Sequence, residues 1–146
     1  MTRIVATRTI QAPMDAVFKT VADIHRFSQA IPEIVRVEML SDVKQGIGTR
    51  FRETRRMKGR EVATELEVIE YVENERVRMV ADDGHGTVWD TVFAVRPKNS
   101  LTELTLIMDA KSYKWLPKIL YPLLIRPMVK KAIEQNMDSV KAFCEE

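Results

Sequence analysis

Apolar and polar positions alternate with a period of two through the middle of this chain, and apolar residues recur at helical spacing toward both ends. Residues 3–11 are rich in β-branched side chains, which suit a pleated strand. That strand should stop at Ala12, because the residue before a proline is pushed toward an extended conformation and Pro13 cannot donate to a ladder. Pro13 suits the first position of a helix, and Val17, Phe18 and Val21 then share one face. Asp23 can cap a second short helix with Ile24, Phe27 and Ile31 on its buried side and Pro32 just past its end.

From residue 34 to 110 the pattern predicts six strands separated by turn signals. Val35, Val37 and Met39 alternate with Arg36 and Glu38 before a turn at 42–46. The next strand, 48–57, turns at Lys58-Gly59 into one where Val62, Thr64, Leu66 and Val68 alternate with Glu61, Glu65 and Glu67. Val77, Met79 and Ala81 follow, and 82–86 (Asp-Asp-Gly-His-Gly) is a strong hairpin signal. Trp89, Thr91, Phe93 and Val95 form the next strand, 97–100 the next turn, and Leu104, Leu106 and Met108 the last strand. One apolar and one charged face describes an antiparallel sheet with water on one side.

The apolar face needs a cover. Leu116, Ile119, Leu120, Leu123, Leu124, Met128, Val129, Ile133, Met137, Val140 and Phe143 make a stripe close to helical period, with Lys130, Lys131, Glu134, Asp138 and Lys141 opposite. Pro122 and Pro127 should interrupt its first part, so a long helix is expected from about Met128 onward. The order of elements predicts an α+β domain: a curved antiparallel sheet of about seven strands around a long carboxy-terminal helix, with two short helices after the first strand.

Composition changes this picture little. At 146 residues, residues 1–146 read as one domain, and 45% hydrophobic with 30% charged residues is ordinary for a soluble chain. A formal net charge of +2 gives no reason to expect nucleic acid as a partner. The lone Cys144 suits a reducing, cytoplasmic setting, and the amino terminus shows no signal-peptide pattern. The basic run Arg50, Arg52, Arg55, Arg56, Lys58, Arg60 is followed by Glu61, Glu65, Glu67 and Glu70, so cross-strand pairing on a solvated face is expected.

The opening Ile10-x-Ala12-Pro13-x-x-x-Val17-Phe18 with Asp23 resembles the START-like superfamily, and most closely its polyketide cyclase/dehydrase branch. Gly48-Thr49-Arg50-Phe51, the Phe93-x-Val95-x-Pro97 strand end with Leu101-Thr102-x-Leu104, and the single terminal helix resemble it too. The resemblance implies a helix-grip fold with an apolar cavity between sheet and helix. It also implies either binding or transport of a lipid, polyketide or quinone-like molecule, or a cyclase/aromatase-like activity on such a molecule. The chain departs from the pattern where Phe27 and Ile31 replace a common tryptophan, and where two prolines enter the last helix.

Strand parity nominates the site. If Phe51 faces the cavity, Glu53, Arg55 and Met57 do as well. A buried Glu53–Arg55 pair can orient a carbonyl or serve as catalytic acid and base, or it can be a structural ion pair. A bulge turning both out to solvent is the remaining alternative. The expected ligand-binding lining is Phe51, Met57, Leu66, Met79, Trp89, Phe93, Met108, Leu120, Leu124 and Met128, rich in adaptable methionine. His25 and His85 have no metal-ligand spacing around them, so neither a metal nor another cofactor is expected. Tyr113, Trp115 and Tyr121 beside Lys114 and Lys118 suit a lid, a contact between copies, or a transient membrane contact.

Overall fold

The computed structural model describes residues 2–84, 86–112 and 120–146, without the side chains of 112 and 120–125. Its elements are β1 (Thr2–Ile10), α1 (Met14–Ala22), α2 (Ile24–Ala30), β2 (Ile34–Met39), β3 (Arg50–Met57), β4 (Arg60–Val72), β5 (Arg76–Asp82), β6 (Thr87–Lys98), β7 (Leu101–Ser112) and α3 (Leu120–Cys144). The strands form one curved antiparallel sheet in the order β1-β7-β6-β5-β4-β3-β2. Six strands are thus a plain meander, and β1 closes the far edge by pairing with β7 from Thr2↔Ala110 to Ile10↔Thr102. With α3 gripped by the sheet and α1–α2 inserted after β1, this is the helix-grip arrangement.

Local chemistry fixes the joints. Pro13 takes the N-cap of α1, one position earlier than its preference for a first turn suggests, and its carbonyl accepts from Val17 N at 3.1 Å. Asp23 caps α2 as expected, accepting from His25 N at 2.9 Å. The β3–β4 hairpin turns on Lys58 and Gly59, whose φ values of 51° and 77° are the left-handed pair a two-residue hairpin loop requires. Pro97, expected in a turn, lies within β6 opposite Thr102. The ladder tolerates it because β5 pairs with β6 only as far as Ala94, so the missing N–H deprives no neighbour.

Two further expectations need correction. Val35 is exposed, because the β2–β3 register shifts between Ile34 and Arg36 and the bulge turns Ile34 into the core instead. α3 begins at Leu120 rather than near Met128, and it continues through Pro127. Pro122 falls in the first turn, where a backbone N–H has no intrahelical partner to lose. Pro127 removes one helical hydrogen bond, on an exposed stretch of the helix. Among the described residues, no helix is long and apolar enough to cross a membrane.

The core joins sheet and helices on the concave side: Ile4, Phe51, Val77, Phe93 and Leu106 from the strands, Phe18 and Phe27 from the short helices, and Ile133, Met137 and Val140 from α3. The convex side carries ion pairs. Arg52 donates to Glu38 at 2.9 Å and Glu65 at 2.6 Å, and Arg56 to Glu61 at 3.1 Å. The basic run on β3 is therefore largely answered across the strands.

Candidate functional site

A cavity of about 240 Å³ opens between the concave face and the helices. Val21, Ala22, Ile24 and Phe27 close one end, where Phe27 meets Phe93 edge-on with ring centroids 5.8 Å apart. Phe51, Leu66, Met79, Leu106 and Met108 form the wall, and Met57 and Val62 border the β3–β4 end, where they are 44% and 46% exposed. An apolar void of about 150 Å³ already admits benzene, so this volume has room for a compact ring system or short chain.

Polar groups gather on one part of that wall. Glu53 is 7% exposed and sits between Val37 of β2 and Thr64 of β4 in the ladder. Arg55, two residues on, shares its face because strand side chains repeat every second residue. Arg55 Nε donates to Glu53 Oε1 at 2.5 Å, and Nη1 donates to Asn136 Oδ1 of α3 at 3.2 Å. Thr64 and Asn136 complete this cluster, and Thr91, the other polar residue of the described lining, stands apart on β6. Both Glu53 and Arg55 are thus turned toward the cavity and paired, not bulged out to solvent. On the β6 wall, Trp89 Nε1 donates to Asp83 Oδ2 at 3.2 Å, which fixes the indole against the β5–β6 hairpin.

Of the residues expected to line the cavity, Phe51, Met57, Leu66, Met79, Trp89, Phe93 and Met108 do so. The side chains of Leu120 and Leu124 lie outside the described residues, as do His85 and, of the 113–122 segment expected as lid, contact between copies or membrane contact, residues 113–119 and the side chains of 120–122. Met128 is corrected: it is 60% exposed and absent from the lining. At 3.6 residues per turn it lies about two and a half turns from the fully buried Met137, hence on the opposite side of α3. Three polar lining residues, Thr64, Thr91 and Asn136, lie outside the expected set, and Thr64 shares the β4 parity of Leu66. Thr91 was legible from β6 parity, whereas nothing local marks Asn136, since its meaning comes from a partner on β3.

The other reactive candidates stand apart. His25 is exposed on α2. Cys144 donates to Thr20 Oγ1 at 3.5 Å, and burial pushes its thiol pKa up, away from the thiolate a nucleophile needs. Among the described residues no three His, Cys, Asp or Glu side chains are grouped to hold a metal ion. A second hollow of about 380 Å³ is bordered by Asp15, Lys19, Arg26 and Glu73, a lining of mixed charge that does not suit an apolar ligand.

A family model described as polyketide cyclase / dehydrase and lipid transport matches residues 1–145. No curated protein matches the chain. Among solved structures, a START superfamily protein from Mycobacterium smegmatis is similar with TM-score 0.70 and 20% identity, over 98% of this chain and 94% of that one. Ginseng major latex-like protein 151 from Panax ginseng aligns with TM-score 0.75 and 12% identity, covering 99% and 95%. A protein from Thermus thermophilus aligns with TM-score 0.73 and 21% identity, covering 99% and 94%. At such identities these likenesses speak for the fold, START-like in architecture.

Proposed function

The chain belongs to the polyketide cyclase / dehydrase and lipid transport family, and from the cavity its fold builds we propose that it binds or carries a hydrophobic small molecule such as a lipid, polyketide or quinone-like compound. The single observation that carries this reading is the cavity itself: about 240 Å³, walled by Phe51, Leu66, Met79, Phe93 and Met108, with few polar groups, of which Glu53, Arg55, Thr64 and Asn136 lie together. An apolar enclosure with a small number of placed polar groups is how such ligands are held. Apolar surface on both ligand and wall leaves water on binding, at about 25 cal/mol per Å². The lone Cys144 supports a cytoplasmic setting for this role. Native mass spectrometry of the protein purified from its own host tests the reading. A co-purifying apolar species, displaced by the neutral dye Nile red, is the expected result. A chain that carries nothing and binds no apolar probe would defeat it.

A second reading rests on one specific observation, the buried carboxylate of Glu53 on the cavity wall with Arg55 beside it. That pair can hold a carbonyl and move a proton at an enolisable carbon, the chemistry a cyclase/aromatase-like enzyme needs. Turnover of a poly-keto substrate that is lost in Glu53→Gln and Arg55→Met, with folding retained, is the result that would rank it first.

A further inference from the structure

We infer that Glu53, Arg55 and Asn136 make the cavity selective for neutral ligands whose polar end both donates and accepts a hydrogen bond, and that they turn carboxylates away. The inference rests on the cavity being a hydrophobic ligand site. Arg55 is the sole cation among the described lining residues, and Glu53 already meets its charge through the Nε–Oε1 contact. A carboxylate entering the cavity therefore finds no unanswered positive charge. It would instead lie beside the Glu53 carboxylate, where the low dielectric of the wall strengthens the repulsion.

The hydrogen-bonding valences left over define what is welcome. Arg55 has donors only, so Asn136 has to present its Oδ1 to Nη1, and the amide nitrogen is turned elsewhere. Glu53 uses Oε1 on Arg55, and its Oε2 receives no hydrogen bond from the described residues. Glu53 Oε2 thus remains as an acceptor, and Arg55 Nη2, which donates to none of the described residues, remains as a donor at the same spot on the wall beside Thr64. A phenol or hydroxy-ketone end answers both, while a bare hydrocarbon strands them when water leaves. The apolar remainder of the wall takes the body of the molecule.

The test uses the full chain, Nile red as a neutral reporter, and three competitors of one shape at neutral pH: naphthalene, 2-naphthol and 2-naphthoate. In the natural sequence 2-naphthol is expected to displace the dye at least about tenfold more effectively than 2-naphthoate, with naphthalene also weaker than 2-naphthol. In Glu53→Gln, which frees the charge of Arg55, the gap between naphthol and naphthoate is expected to shrink to about threefold or less. Naphthoate competing as well as naphthol in the natural sequence overturns the inference and leaves the ligand-site reading standing. Failure of Nile red and all three competitors to bind overturns that reading instead. Should Glu53→Gln fail to fold by circular dichroism, the comparison in the natural sequence decides alone.

Discussion

The Trp89 indole and the Asp83 carboxylate join the cavity wall to the β5–β6 hairpin: Nε1 donates to Oδ2 at 3.2 Å, while Oδ1 of the same carboxylate accepts from Thr87 N at 3.2 Å. The hairpin and the ring that faces the ligand space are therefore held as one unit. In a Trp115→Phe background, Trp89 is the remaining tryptophan, and its emission should shift when an apolar ligand enters. Asp83→Ala should broaden that emission and lower stability by about 1.5–3 kcal/mol, the scale for hydrogen bonds to a charged acceptor. An unchanged spectrum on saturation with 2-naphthol would contradict the placement of the ring.

Two methionines on opposite sides of α3 give a sharp contrast. Met137 is fully buried and Met128 is 60% exposed. Met137→Ala should cost about 2–5 kcal/mol in urea unfolding, through lost burial and the void left behind. Met128→Gln should stay within about 0.5 kcal/mol and leave Nile red binding unaltered. Equal effects at the two positions would mean that the helix is rotated from the orientation described.

The Glu53–Arg55 pair should show strong coupling. Arg55→Met leaves the Glu53 carboxylate buried without its partner, and a loss of about 3 kcal/mol is expected. Combining it with Glu53→Gln should recover much of that loss, because the stranded charge is gone. A double-mutant cycle by chemical denaturation measures this. Additive losses would show that the two side chains do not depend on one another.

Acid should weaken the sheet through Asp90. The Arg78 guanidinium, bonded to both its carboxylate oxygens at 2.9 and 2.7 Å, holds the Asp90 pKa below the usual carboxylate range, with Lys111 adding to the effect. Since the folded value lies below the unfolded one of about 3.9, this contribution is complete above that pH. It is lost as pH falls through the folded value. The unfolding midpoint of Asp90→Asn should accordingly lie below that of the natural sequence near neutrality and approach it in acid. A gap that widens on acidification would reverse the assigned sign.

Much of the architecture was legible in the order of the residues. Period-two alternation named the strands and sorted the residues of β3 into two faces, because neighbouring side chains on a pleated strand cannot share a face. Pro13 and Asp23 marked the short helices through constraints confined to a few bonds. That Phe51, Glu53, Arg55 and Met57 lie on one side followed from parity alone.

What parity cannot see is a break in its own register. The bulges at Val35 and Ile69 depend on the partner strand, and each changes which later residues turn inward. The helical stripe likewise contained Met128 and Met137 together, and only the seating of α3 against β1, α1 and α2 decided which of them is buried. Asn136 is the clearest case. An asparagine among polar helix residues carries no local signal, yet it accepts from Arg55 across a separation of 81 residues. Short-range sterics and side-chain periodicity fixed the elements and their faces. Contacts between groups distant in the chain, formed only when the sheet curves around α3, decided the chemistry of the cavity wall.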